Sequence, residues 1–150
     1  MGTKVIRSFR GGDAKHLAQL DNAQMVQRVR DVVPRRASDY HLSPLLQSVM
    51  KARIEAWVIE ENGLAVGFAR AVMSPNFEIA QLTPTPLPAG NGAAGSRKLL
   101  ATALRWIEVQ KTPRVMTDLP DHRTGSRGEL EAIGFEESLR LRTLAKPLAL

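Results

Sequence analysis

The chain of 150 residues predicts one α/β domain, with helices layered on both faces of a mixed, mostly antiparallel sheet. Three observations predict it. Asn62-Gly63 falls between two apolar runs, 56–60 and 65–72, which is a strong local signal for a β-hairpin. Residues 93–109 carry Leu100, Leu104 and Ile107 at helical spacing, with Arg97, Lys98 and Arg105 on the opposite, wet side. Short alternating segments stand before and after that helix, so strands and helices interleave along the chain.

In order, Lys4 to Phe9 alternates as a first strand, and Gly11-Gly12-Asp13 breaks it, with Asp13 as N-cap of the next helix. Leu17, Leu20, Val26, Val29 and Val33 give that helix an imperfect stripe ending at Pro34. Ser43-Pro44 announces a second helix, buried through Leu45, Leu46, Val49 and Met50. The hairpin occupies 55–73, with its turn at Glu61-Asn62-Gly63. Ser74-Pro75-Asn76 turns the chain again into a third meander strand, Phe77 to Leu82. Three alternating prolines, Pro84, Pro86 and Pro88, lead to the glycine-rich turn and the helix of 93–109. Pro113 ends that region and Arg114 to Leu119 reads as a strand. Ser126 to Ile133 is a short helix closed by Gly134, and Phe135 to Leu148 is a final strand. The predicted order is β-α-α-β-β-β-α-β-α-β, without internal repeats.

Composition narrows the function. No apolar run reaches membrane-spanning length, and the opening residues show no signal-peptide core. The chain has no cysteine, which removes disulfides, thiolate nucleophiles and cysteine metal sites; a cytoplasmic setting is the expectation. His16, His41 and His122 lack ligand spacing, so no metal is expected. A net charge of +6 attracts anions in general, but the basic residues are scattered and aromatics are only 5%, which disfavours nucleic acid as the partner.

The chemistry concentrates at Gly90-Asn91-Gly92-Ala93-Ala94-Gly95-Ser96, where small residues crowd the mouth of a helix. Unpaired N–H groups there suit an anion, phosphate above all. A nucleotide P-loop is excluded, because Ser96 and Arg97 stand where lysine and Ser/Thr are required. The dinucleotide fingerprint matches at Gly90, Gly92 and Gly95, but prolines precede it where a buried parallel strand is needed.

A third reading involves the whole chain. Gly63-Leu64-Ala65-Val66-Gly67-Phe68-Ala69 is similar to a hairpin arm of the GCN5-related N-acetyltransferase (GNAT) superfamily. Leu130-Glu131-Ala132-Ile133-Gly134-Phe135-Glu136 resembles that family's closing segment, and 88–96 takes the place of its acyl-CoA turn. The resemblance implies a GNAT-like layered domain over residues 1–150. It also implies acetyl-CoA as co-substrate without a metal, and transfer of acetyl to an amine of a small molecule or peptide. A homodimer is compatible with it; a catalytically weak or inactive binding module of the same fold is the alternative.

By position, the resemblance assigns the pyrophosphate to Asn91, Gly92, Ala93, Ala94, Gly95, Ser96 and Arg97, with Lys98 nearby. Asn91 replaces the usual arginine or glutamine, and Ala94 and Ser96 replace two glycines. The prolines strip one edge of 83–88 of donors, so the pantetheine arm is left the edge of Thr85 and Leu87. Glu78 is the candidate base, Glu60 a poorer one, and Leu130 stands where the family commonly has its tyrosine acid. Tyr40, the only tyrosine, lies with His41 in the region that shapes the acceptor pocket in the family. Arg123, Ser126 and Arg127 open the penultimate helix near the far side of the cofactor.

Overall fold

A computed structural model of the chain describes residues 4–25, 27, 30, 34–41, 53–88, 93–119 and 124–137. Five strands form one sheet in chain order: β1 (Lys4–Ser8), β2 (Ile54–Glu61), β3 (Leu64–Met73), β4 (Ile79–Thr83) and β5 (Arg114–Thr117). All neighbours are antiparallel except β4 and β5, which run parallel. A parallel pair needs a crossover, and here it is the helix α2 (Ala93–Val109). Helices α1 (Ala14–Gln24) and α3 (Thr124–Ala132), with short 3-10 turns at Gly11–Asp13 and Ala37–Asp39, complete the described elements.

The hairpin forms where the Asn-Gly pair predicts it. Asn62 and Gly63 both have positive φ, 53° and 80°, the geometry that matches strand twist in a two-residue turn. Pairing shifts between Ile59 and Glu60, so Val66 is an extra residue on β3 and the ladder carries a bulge. Alternation along the strands divides the interior in two. Trp57, Ile59, Ala69, Ala71, Ala80 and Leu82 face Leu99, Leu100, Ala103 and Ile107 of α2. Val58, Ala65 and Phe68 face Ala14, Leu17 and Ala18 of α1, with Tyr40. Helices therefore cover both faces.

Several details differ from the sequence reading, among them the end of β1 at Ser8 rather than Phe9 and the bounds of α3, expected at Ser126 to Ile133. Helix α1 stops at Gln24, where Met25 is extended (ψ 145°), and does not run unbroken toward Pro34, although Gln27 and Arg30 beyond it are again helical. The Asn22 amide explains the stop: it accepts from the Arg35 N–H at 2.7 Å and donates to the Arg35 carbonyl at 2.9 Å, drawing the returning chain against the last turn. Asp13 precedes α1 but its carboxylate does not cap it; it accepts instead from the Arg10 N–H at 2.8 Å and from Arg7. Strand β4 starts at Ile79, not Phe77, since Phe77 has φ 59° and the Asn76 and Ser74 side chains hold the turn through the N–H groups of Glu78 and Ile79. Strand β5 ends at Thr117, two residues short of the expected Leu119. The helix expected at Ser43-Pro44 lies outside the described residues; of the strand expected over Phe135 to Leu148, residues 135–137 are described and are not strand, and the rest lies outside.

Candidate active site

Strands β4 and β5 pair only from Ile79/Arg114 to Leu82/Thr117. Beyond that point 84–88 stays with β3, the Phe68 N–H donating to the Pro86 carbonyl at 2.9 Å. The proline edge thus lies against β3, which here asks for an acceptor and not a donor. Among the described residues, nothing accepts from the N–H of Thr85 or Leu87. Both residues are buried, as are the rings of Pro84 and Pro86.

Each carbonyl of the next steps is tied down. Gln24 of α1 reaches the Leu87 carbonyl at 3.2 Å, and the Ser96 hydroxyl donates to the Pro88 carbonyl at 2.8 Å. The segment before the glycine-rich turn is thereby pinned from α1, β3 and α2 together. Gly67 supplies the remaining condition: a methyl there would stand 2.8 Å from Ile59 Cδ1 and 3.0 Å from Pro88 Cδ. Glycine at 67 is what lets the Pro88 ring rest on β3. Neither Gly67 nor Gln24 stands out as a site residue in the sequence, because their contacts join positions far apart in the chain.

The helix entrance is placed as follows. Gly90, Asn91 and Gly92 lie outside the described residues; Ala93 opens α2. Ala94 is exposed, while Gly95 has its bare Cα toward Ile59 Cδ1 and the Lys4 side chain. Ser96 is buried and its hydroxyl is engaged with Pro88. No large side chain from 94 to 96 stands over the first turn, whose N–H groups are those a helix leaves without intrahelical acceptors. Arg97 is exposed and its Nε donates to Glu129 of α3 at 3.0 Å. Arg127 pairs with Glu131 at 2.7 Å and with Glu137 at 3.0 Å, and Ser126 is buried. Arg123 is outside the described residues.

The structure does not bring every candidate together. Glu78 is exposed in the turn before β4, at the end of that strand away from Thr83 and from the segment that leads to the start of α2. Glu60 accepts from Arg7 Nε, whose guanidinium also grips both oxygens of Asp13 at 2.8 and 2.9 Å, so it belongs to a network joining β1, β2 and the start of α1. Leu130 is 2% exposed within the α2-side core. Tyr40 is buried edge-on to Phe68, ring centroids 5.1 Å apart, and donates its hydroxyl to the buried Asp21 carboxylate at 2.7 Å. Burial pushes the Tyr40 phenol up to about 12. Among the described residues no group of three or more His, Cys, Asp or Glu is placed to hold a metal ion, and no helix is long and apolar enough to cross a membrane.

No protein-family model matches the sequence, and no curated protein matches it. Solved structures do. An aminoglycoside N-acetyltransferase, AAC(6')-Iy in complex with CoA, superposes with a TM-score of 0.63 at 21% identity, over 97% of this chain and 96% of that one. A GNAT-family acetyltransferase of Staphylococcus aureus gives a TM-score of 0.72 at 14% identity, over 92% of this chain and 87% of the other. A predicted acetyltransferase of Clostridium acetobutylicum, solved with acetyl-CoA, gives 0.61 at 15% identity, over 95% and 96%. The chain has the fold of the GNAT acetyltransferases.

Proposed function

We propose that the chain is an acetyl-CoA-dependent N-acetyltransferase acting on an amine of a small molecule or peptide. The observation that carries this reading is the parting of β4 and β5 after Leu82 and Thr117, with 83–88 leading to the first turn of α2. The neighbours support it, since several are solved with CoA or acetyl-CoA, and AAC(6')-Iy also with a bisubstrate analogue of CoA and an acetylated neamine.

The residues present fit such a cofactor. Thr85 and Leu87 keep N–H groups with no acceptor among the described residues, suited to the amides of a pantetheine arm. The N–H groups from Asn91 to Arg97 would receive the pyrophosphate, with the helix terminus adding about 0.3–1 kcal/mol per anionic group, up to roughly 2 where partly buried. Acetyl-CoA would supply the activated acetyl group as a thioester. Glu78, the expected base, stands at the other end of β4 from this point, so the proton of the amine would pass to solvent. Leu130 has no proton to give, so the departing thiolate would be protonated by solvent. The Arg97–Glu129 pair must loosen for Arg97 to reach a phosphate, which leaves the backbone as the main cradle.

Calorimetric titration with acetyl-CoA tests this reading. Saturable binding is expected, with no comparable heat from NAD or ATP, and saturation at a hundred times Kd would stabilise the fold by about 2.7 kcal/mol. Absence of binding at millimolar acetyl-CoA overturns it. The burial of Leu130 in the core favours one second reading, a module that holds CoA without transferring the acetyl group. Binding of acetyl-CoA with no acetylated product across a panel of amines would select that reading.

A further inference from the structure

Arginine taken out of water is ordinarily given acceptors, because its five donors cannot be switched off. Arg7 follows that rule, with both oxygens of Asp13, the Ser8 carbonyl and Glu60 around one guanidinium. Arg70 does not. It stands on the α1 face of β3, half-buried, its guanidinium 5.9 Å from the centroid of the Phe68 ring. Among the described residues its acceptor is the Asp39 carbonyl, at a long 3.4 Å, and its Nε is buried with no partner.

The nearby charges do not supply the missing acceptor. Asp21 is engaged by the Tyr40 hydroxyl at 2.7 Å and by Arg35 Nε at 3.4 Å. An oxygen of Asp39 accepts from the Arg36 N–H at 2.8 Å. Arg35 instead brings a second positive charge, and burial followed by that charge pulls the Arg70 guanidinium below its ordinary value. A buried Nε–H without an acceptor, on a guanidinium with the Asp21-paired Arg35 beside it, makes a place prepared for an anion.

Its location gives the anion a purpose. Arg70 is the register partner of Thr83, the last residue of β4, and so stands one strand from the point where β4 and β5 part. We propose that Arg70, assisted by Arg35, receives an anionic group of the acceptor, which is therefore an amine that also bears a carboxylate or phosphate. The planar guanidinium fork matches either group through two parallel hydrogen bonds. This deepens the acetyl-transfer reading and rests on it for the word acceptor, while the anion site itself can be tested without the cofactor.

Inorganic phosphate is the first probe, with melting temperature followed in the absence of acetyl-CoA. Wild type and Arg105→Gln, a change on the exposed side of α2, should show the same rise, and Arg70→Gln a clearly smaller one, the remainder coming from the first turn of α2. An undiminished rise in Arg70→Gln overturns the site, whatever the outcome with acetyl-CoA. The second arm uses the unaltered protein, so a variant that fails to fold cannot obscure the answer. With acetyl-CoA present, phenylalanine is compared with phenethylamine, and phosphoethanolamine with ethanolamine. The anionic member of at least one pair should be acetylated about ten- to a hundredfold faster, the range for a charge-assisted hydrogen bond, and the pair that responds tells carboxylate from phosphate. Equal rates within both pairs overturn the proposal. Loss of acetyl-CoA binding together with a retained phosphate response would instead count against the transferase reading alone.

Discussion

Tyr40 shows how a single residue commits part of this fold. Its ring fills the space between α1 and β3, and its hydroxyl donates to Oδ2 of an Asp21 carboxylate that is fully buried. A buried acceptor left without its donor costs about 1–3 kcal/mol, so Tyr40→Phe should lower stability by that order in urea unfolding. The titration follows from the same contact. Burial raises the phenol to about 12 in the folded chain, against an ordinary value near 10 when unfolded. Between those values the unfolded chain gives up its proton while the folded chain keeps it. The contribution is therefore complete below about pH 10 and is lost as pH rises toward 12, by up to about 1.4 kcal/mol per unit. Because the chain has one tyrosine, phenolate absorbance reads this residue alone. Titration near 10 in the folded protein would contradict the burial of the Tyr40 phenol.

At the scale of elements, the legible parts are those whose cause is local. Asn62-Gly63 sets its own turn, and the stripe of Leu100, Leu104 and Ile107 sets α2, whose bounds match the expected 93–109. Where a distant partner decides, the sequence is silent. Helix α1 ends because Asn22 holds Arg35, and β4 begins late because Ser74 and Asn76 capture N–H groups of the turn. The candidate site divides likewise: its small residues and prolines can be read in order, but not the seat of Pro88 on Gly67 or the pairing of Arg97 with Glu129. Gly67→Ala tests the first of these. The added methyl meets Ile59, fully buried, and the rigid Pro88 ring, so overpacking should cost about 1–3 kcal/mol by urea unfolding. The displaced Pro88 should also weaken acetyl-CoA binding measured by calorimetry. Unchanged stability together with unchanged binding would show that glycine is not needed at that crossing.

The whole molecule is a sheet with two unlike interiors, and its cooperativity depends on whether five strands couple them. On one side α2 packs on Trp57, Ile59 and Leu82; on the other α1 packs on Val58 and Phe68. Val58 lies between Trp57 and Ile59 on β2, so the two interiors share a backbone and its hydrogen-bonded neighbours. A strand cannot lose one face and keep the pairing that serves the other, which predicts a single transition. Leu17→Ala probes this from the α1 side. The residue is fully buried, and truncation should cost about 2–5 kcal/mol. The chain's two tryptophans, Trp57 and Trp106, meet edge to face with centroids 5.7 Å apart on the α2 side, so their fluorescence reports the interior that the substitution does not touch. Fluorescence and far-ultraviolet circular dichroism should therefore shift to the same lower midpoint, with equal steepness, in Leu17→Ala. A fluorescence midpoint that stays at the wild-type value while dichroism falls would mean that the α2 layer holds its strands without α1.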